Sequence, residues 1–219
     1  MARRPSGAVS TADDKWIIVE ARNITTVPIL ETARLRLRPF TVADAPAVAR
    51  MVSDRRVAEL TLNIPHPYPA DLAVQWIGSH AAEAAAGTLY SFAIERIAPA
   101  ELDQHAGKTL LGAIAITPNA RFRRAEIGYW LGVEHWNRGY MTEAARRVVA
   151  FGFAQLGLQR IQATCYPRNP ASAKVMQHAG LRHEGLLRGY VHKDGVQEDI
   201  AMYAMLRSDW DAGTVGGGQ

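Results

Sequence analysis

The sequence contains very little cysteine and no long apolar run. Its single cysteine, Cys165, excludes an internal disulfide framework and favours a reducing compartment, so we expect a cytoplasmic location. The apolar runs are far shorter than the ~20 residues that a membrane helix needs. The opening MARRPSGAVSTADDKW also lacks the apolar segment of a secretory signal. We therefore predict no membrane association.

Charge of one sign and metal-binding patterns are also scarce. Lysine and arginine number 25 against 21 aspartate and glutamate residues, a net charge of +4. The arginines are spread along the chain, whereas a nucleic-acid binder usually concentrates its charge on one face. We therefore predict no direct nucleic-acid partner, although a mildly positive field suits an anionic cofactor. The seven histidines show no H-x-x-x-H or H-E-x-x-H spacing, so no metal site is predicted.

The chain has no internal repeat and no linker that would divide it into two domains. Residues 1–28 are predicted to form an N-terminal tail, with a short edge strand as one interpretation of the WIIV segment at 16–19. Residues 29–210 are predicted to form one domain. The glycine-rich residues 211–219 are predicted to form a flexible C-terminal tail.

Alternating and helical patterns predict an α+β fold. Period-2 runs indicate strands at 35–38, 90–95, 110–116, 125–133, 160–166, 184–191 and 198–205, the last two joined by a hairpin turn at Lys193-Asp194-Gly195. A helix between the strands at 125–133 and 160–166 predicts that these two strands run parallel. We expect a mixed, mostly antiparallel sheet with one parallel pair and helices on both faces.

The loop Trp136-Asn137-Arg138-Gly139-Tyr140-Met141-Thr142 precedes the helix of this strand–helix–strand unit. The N-terminus of a helix carries unpaired N–H groups and about half a positive charge, which suits a phosphate. A Walker loop would need a lysine and a second glycine that are missing here, and Gly132 and Gly139 do not have the Rossmann spacing. What remains is a loop with one glycine that enters a helix late in the domain.

Five segments in order resemble the GNAT superfamily of acyl-CoA-dependent N-acyltransferases, and in particular its RimJ/RimL-like branch of ribosomal-protein N-terminal acetyltransferases. The segments are TARLRLRPFTVADA (32–45), LLGAIAI (110–116), AEIGYWLGVEHWNRGYMTEA (125–144), NPASAKVMQHAGL (169–181) and EDIAMYAML (198–206). The resemblance covers roughly residues 29–208. In the family's loop pattern, Q/R-x-x-G-x-G/A, this chain keeps Gly139 but has Trp136 at the first position and Met141 at the last.

The resemblance implies a site for acetyl-CoA where the parallel strands splay apart. The backbone of Leu131, Gly132 and Val133 would pair with the pantetheine arm like an added strand. The diphosphate would be surrounded by Asn137, Arg138, Gly139, Tyr140, Met141 and Thr142. Asn169 matches the asparagine that hydrogen-bonds the pantetheine arm, although it also fits a plain helix N-cap, and Ser172 follows it in the N-x-x-S pattern.

Transfer of an acetyl group to an amine needs a base for the ammonium and an acid for the departing thiolate. Glu126 is the candidate base, and a surface ion pair with Arg123 or Arg124 explains it equally well. Ser172 is the candidate acid or a helix-start hydroxyl. Tyr203, in the D-x-x-x-Y match, is a second candidate acid. Cys165 alternates with apolar residues and is expected to be a buried inert thiol.

The acceptor pocket is expected in the loop at 63–69, the following helix and the C-terminal hairpin. Tyr68 and Trp76 are candidate lining residues, and packing in the core would account for them as well. Asp199 matches the branch's closing motif and either holds a substrate ammonium or braces the hairpin. This is the region that the sequence specifies least.

The resemblance therefore implies an acetyl-CoA-dependent N-acetyltransferase that acts by direct attack of an amine on the thioester, without a metal. The acceptor that it favours is a protein N-terminal α-amine, in particular that of a ribosomal protein. A small-molecule amine or antibiotic is the alternative within the same class of enzyme. A non-catalytic acyl-CoA-binding sensor is the alternative from a different class. An exposed edge strand or the C-terminal hairpin could pair two subunits, so a homodimer is expected.

Overall fold

The computed structural model describes residues 24–97 and 109–215. Eight strands form its sheet: β1 (Leu30–Glu31), β2 (Leu35–Pro39), β3 (Tyr90–Arg96), β4 (Thr109–Asn119), β5 (Arg124–Leu131), β6 (Arg160–Cys165), β7 (Arg182–Lys193) and β8 (Val196–Leu206). Six α-helices accompany them: α1 (Ala45–Val52), α2 (Arg55–Ala58), α3 (Leu72–Ala85), α4 (Tyr140–Ala154), α5 (Pro170–His178) and α6 (Arg207–Val215). The segment at 16–19 lies outside the described residues. No helix in the described part of the chain is both long and apolar enough to cross a membrane.

The sheet has the order β1-β2-β3-β4-β5-β6-β8-β7, and β5–β6 is its parallel pair. This confirms the predicted mixed, mostly antiparallel architecture. The β5–β6 register runs from Arg124 opposite Arg160 to Ile127 opposite Ala163 and ends there. The last residues of β5 therefore diverge from β6, and the splay opens at the carboxyl ends of the parallel pair.

Helices cover both faces because successive strand residues alternate between two cores. Phe92, Ile94 and Ile114 belong to the larger core, which includes the buried face of α4, whereas Ala93 and Leu110 belong to the smaller core under α1 and α3. Gly152 allows α4 to approach the sheet closely, since a β-carbon there would lie 2.7 Å from Ile161 Cδ1.

The C-terminal hairpin turns at Asp194 and Gly195, both with positive φ (51° and 81°), as the Asp-Gly pair predicts. Beyond it, α6 continues to Val215, whereas the sequence predicts a flexible tail from residue 211. Trp210 explains the added helix, because its ring stacks on Phe153 with centroids 5.6 Å apart.

Candidate active site

The loop before α4 has the geometry of an anion cradle. Asn137 and Gly139 have positive φ values of 59° and 75°, which turn the chain sharply before the helix begins at Tyr140. Glu143 N–H donates to Gly139 C=O at 3.1 Å. The amides of Tyr140, Met141 and Thr142 precede this bond at the positive end of the helix dipole. Their donors are of the kind that holds a diphosphate.

The outer side of the loop is held by an ion pair that joins residues 109 positions apart. Arg34 Nε lies 2.7 Å from Glu143 Oε2, and Arg34 Nη1 donates to Arg138 C=O at 3.1 Å. The hydroxyl of Thr32 donates to Glu143 Oε1 at 2.6 Å. Burial alone would raise the pKa of Glu143, but the hydrogen bonds from Thr32 and Arg34 outweigh it and lower this pKa. Glu143 is therefore an ionised clamp on the first turn of α4.

The two departures from the family's loop pattern have structural roles. Trp136 Nε1–H donates to Leu131 C=O at 3.0 Å, so the indole fastens the start of the loop to the end of β5. The Met141 side chain is 5% exposed and packs in the larger core. Neither side chain replaces a backbone donor of the cradle.

The open edge of β5 differs from the one that the sequence indicates. Gly132 N–H donates to Leu111 C=O at 2.9 Å, toward β4, and Val133 begins a short 3-10 helix. Because alternate residues of a strand direct their backbone groups to opposite sides, the groups of Tyr129 and Leu131 point toward the splay. The register therefore directs the backbone of Tyr129 and Leu131 toward the splay, whereas that of Gly132 faces β4. The pairing of Leu131, Gly132 and Val133 with a pantetheine arm stays a prediction from the resemblance.

Across the splay, α5 begins at a cap that also places a hydroxyl pair. Asn169 Oδ1 accepts a hydrogen bond from Ser172 N–H at 3.1 Å, which confirms the predicted N-cap. Ser172 Oγ lies 2.9 Å from the hydroxyl of Tyr129, which also donates to Ser172 C=O at 3.2 Å. Burial raises the pKa of Tyr129 well above its ordinary value. The pair is therefore protonated at neutral pH.

Cys165 lies in the same region and is 6% exposed. Burial raises the pKa of its thiol, so the thiolate is disfavoured. This agrees with the predicted inert thiol.

Glu126 lies on the opposite face of β5 from Tyr129. Thr164 Oγ1 donates to Glu126 Oε1 at 3.3 Å, and Gln162 Nε2 lies 3.5 Å from Glu126 Oε2. The alternative explanation of Glu126 is a surface ion pair with Arg123 or Arg124, and neither pair forms within the described residues. Arg123 donates to Gly157 C=O at 3.1 Å, and Arg124 lies over the Phe122 ring.

A cavity of about 950 Å³ connects these groups. Of the residues predicted from the sequence, it is lined by Tyr68, Trp76, Glu126, Leu131, Asn137, Arg138, Gly139, Tyr140, Met141, Thr142, Asn169 and Ser172. It also reaches Tyr129 and Cys165. One continuous space therefore joins the anion cradle, the splay and the Glu126 carboxylate.

Four predicted residues do not line this cavity: Gly132, Val133, Tyr203 and Asp199. Tyr203 is 7% exposed, stands opposite Ala163 on β8 and packs against the His183 ring at 5.1 Å. Asp199 Oδ1 accepts a hydrogen bond from Gly189 N–H at 2.7 Å, where β7 departs from regular pairing. This bond holds the hairpin together where its pairing is irregular, while binding of a substrate ammonium by Asp199 stays a prediction.

Sequence reasoning did not single out Tyr129, Arg34 or Glu143. The alternation of Tyr129 with Ile127 and Leu131 places its side chain on one strand face, which is the signal that could have found it. Glu143 carries a weaker signal, an acidic residue in the first turn of a helix. The pairing of Arg34 with Glu143 has no local signal, because the fold brings together distant parts of the chain.

The hydrogen-bond donors and cations that line the cavity suit a ligand with a diphosphate on an uncharged arm. Arg138 and Lys174 line the cavity beside the backbone cradle, and both carry positive charge. The splay offers the backbone of Tyr129 and Leu131 to an amide-bearing arm. Within residues 24–97 and 109–215, no group of three or more His, Cys, Asp or Glu side chains could hold a metal ion.

Comparisons with known proteins agree with this arrangement. Residues 34–182 match the family described as Acetyltransferase (GNAT) domain. The chain is 34% identical over 181 residues to "Uncharacterized N-acetyltransferase YoaA" of Bacillus subtilis (strain 168), covering 82% of this chain and 97% of YoaA. A GNAT-family acetyltransferase from Bacillus anthracis superposes with a TM-score of 0.70 at 25% identity, covering 83% and 99% of the two chains. RimJ of Mycobacterium smegmatis, solved in complex with CoA-disulfide, gives 0.67 at 24% identity, covering 86% and 94%.

Proposed function

The chain belongs to the GNAT acetyltransferase family, and from this premise we propose that it transfers the acetyl group of acetyl-CoA to a primary amine. The acceptor class that we propose is a protein N-terminal α-amine of the ribosomal-protein type. The likeness to RimJ supports this choice. A small-molecule amine is the second candidate, favoured by the size of the cavity in front of Glu126.

One observation carries the proposal. A single cavity joins the backbone cradle at 137–142, the splay between β5 and β6, and a carboxylate without a cationic partner among the described residues. A degenerate acyl-CoA sensor would need the cradle and the splay only. The Glu126 carboxylate facing the same space favours catalysis.

On the donor side, the amides of Tyr140, Met141 and Thr142 would hold the diphosphate, with Arg138 adding positive charge. The backbone of Tyr129 and Leu131 would orient the pantetheine arm along the splay. Asn169 is committed to Ser172 N–H through its Oδ1, so its side-chain amide N–H remains to bond the arm. Acetyl-CoA supplies an activated thioester carbonyl at this position.

On the acceptor side, Glu126 would accept a proton from the ammonium, directly or through one water, so that the nitrogen lone pair can attack. A carbon–nitrogen bond forms and the carbon–sulfur bond breaks. The departing thiolate takes a proton from Ser172 Oγ, and the Tyr129 hydroxyl, 2.9 Å away, can replace it. The attacking nitrogen loses its second proton as the intermediate collapses, and this proton restores the hydroxyl pair. Of the two acids predicted from the sequence, Ser172 lines the cavity and Tyr203 does not.

The proposal is tested by following free thiol while the protein is incubated with acetyl-CoA and a panel of N-terminal peptides and small amines. We expect thiol release that depends on the amine. Glu126→Gln should lower kcat at neutral pH by about 10²-fold or more, which is the usual contribution of a general base.

The matched control is Glu83→Gln, because Glu83 lies on α3 outside the cavity and bonds to Ser79. It should leave kcat unchanged. Stabilisation of the protein by CoA, with no turnover on any amine, would favour the sensor and refute the enzyme proposal.

A further inference from the structure

The cavity has a part between the sheet and helices α1 and α3, which we call the acceptor wing. Its wall is apolar and includes Val48, Val52, Leu60, Ile64, Tyr68 and Trp76. Burial raises the pKa of Tyr68, so its hydroxyl stays uncharged. An apolar wall binds an apolar ligand because the contact removes the wall and the ligand surface from water.

The floor of the acceptor wing is open beside Glu126. Ala115 of β4 stands directly opposite Gly128 of β5, and Thr117 stands opposite Glu126. A β-carbon built on Gly128 would have no heavy atom within 4 Å. The small residues therefore leave room for a bulky group next to the carboxylate.

No cationic side chain among the described residues lines the acceptor wing, and the nearby Lys193 Nζ is committed to the carbonyls of Ala58, Thr61 and Ile64. Among the described residues that line the whole cavity, Glu126, Arg138 and Lys174 carry the formal charges, and the two cations belong to the cradle loop and α5. Burial lowers the pKa of His135, which favours its neutral form. An acceptor carboxylate or phosphate would thus lose its hydration without gaining a partner and would also be repelled by Glu126.

Resting on the proposed acetyl transfer, we propose that the acceptor wing selects a primary amine carried by an uncharged apolar group. It rejects amines that bear a carboxylate or phosphate beside the nitrogen. Both an arylalkylamine and a peptide N-terminus with an apolar first side chain have this chemistry. A free amino acid does not.

The test compares acceptors that differ in one charge. The value of kcat/KM is measured by thiol release for L-phenylalaninamide, 2-phenylethylamine and L-phenylalanine. We expect L-phenylalanine to be at least about tenfold poorer than the amide, because only the acid places a carboxylate near Glu126. Peptides beginning with Phe and with Asp form a second arm, in which the Phe peptide should be the better by a similar factor.

The two arms distinguish the sources of the amine. Turnover of the Phe peptide alone would indicate a protein N-terminus, and turnover of 2-phenylethylamine alone would indicate a small molecule. Either result supports the proposal. Measurable and equal kcat/KM for L-phenylalanine and its amide, or preference for the Asp peptide, would overturn it while leaving the acetyltransferase proposal intact. No thiol release with any amine would overturn both.

Variants locate the selectivity in the acceptor wing. Tyr68→Ala should raise KM for L-phenylalaninamide by about tenfold without changing KM for acetyl-CoA, since it removes apolar wall. Phe122→Ala is the matched control, because Phe122 is 59% exposed and lies outside both the cavity and the elements expected to form the acceptor pocket. Gly128→Val should block the amide and leave ammonia as a weak acceptor. If Tyr68→Ala and Gly128→Val both keep the kinetics of the parent, with melting temperatures near that of the parent, the acceptor does not bind in the acceptor wing.

Discussion

Replacing Gly139 by alanine should weaken both the fold and acetyl-CoA binding, and the structure sets the size of the effect. At φ 75° a β-carbon costs about 1–2 kcal/mol, because it crowds the following carbonyl oxygen. The added carbon would lie 3.4 Å from Arg34 Nη2, the mobile end of a side chain, and contributes little more. Alanine also lowers the conformational entropy of the unfolded chain, which offsets part of this destabilisation. We expect a net loss of about 1 kcal/mol, or a fall in Tm of about 2–4 °C for a chain of this size.

The assay pairs thermal unfolding with the KM for acetyl-CoA, and Gly78→Ala is the control. Gly78 lies in the middle of α3, is exposed, and its added β-carbon would meet nothing within 4 Å. This variant should gain about 0.5–1 kcal/mol, since alanine is the better helix former. Its KM for acetyl-CoA should not change.

Gly139→Ala should raise that KM by about tenfold, equivalent to about 1.4 kcal/mol, as the loop amides turn away from the diphosphate. The reasoning is refuted if Gly139→Ala is as stable as the parent and binds acetyl-CoA equally well. It is refuted in part if stability falls and KM stays the same, because the loop conformation would then matter only for folding.

Two further predictions concern Glu143 beside the cradle loop and Tyr129 at the splay. Glu143 has a lowered pKa, so its stabilising contribution is present above its unfolded-state pKa of about 4.3 and is lost as pH falls through the folded value. Glu143→Gln should therefore reduce the free energy of unfolding by about 1 kcal/mol at pH 7 and by much less near pH 3, as measured in urea; an equal loss at both pH values would contradict this. Tyr129→Phe should lower kcat by about tenfold and leave KM for acetyl-CoA nearly unchanged, whereas Tyr190→Phe should alter neither; equal kcat in the two variants would exclude the hydroxyl relay.

The sequence predicts the sheet well because its signals are local. Strand alternation, the Asp194-Gly195 turn and the Asn169 cap each depend on neighbouring residues, and together they fix the parallel pair. The end of β5 was predicted less well. Apolar alternation runs on to Val133, but the 3-10 helix at Val133–His135 turns the chain away after Leu131. The register between β4 and β5 decides which backbone groups face the splay. This register cannot be read from the local sequence.

The ion pair between Arg34 and Glu143 could not be predicted from the sequence either, because it depends on the tertiary fold. Two arginines of β2, Arg36 and Arg38, look equivalent to Arg34 in the sequence, and each pairs with different acids. Arg38 bonds Asp44 at the start of α1, whereas Arg34 reaches the cradle loop. The choice of partner follows from the strand order, which places β2 within reach of the N-terminus of α4.

Gly128, within β5, and Gly132, just after it, have different surroundings. A glycine in a strand usually marks a bulge or a close approach of another backbone, and Gly128 and Gly132 both fall within the run at 125–133 that predicts a strand. A β-carbon on Gly132 would lie 2.7 Å from Met51 Sδ, so a side chain there would displace the buried Met51 side chain of α1. The same carbon on Gly128 would enter open space. The missing side chain of Gly128 opens the floor of the acceptor wing beside Glu126. Acceptor selectivity should therefore respond to volume added at residue 128, while substitution at residue 132 should first appear as a loss of stability.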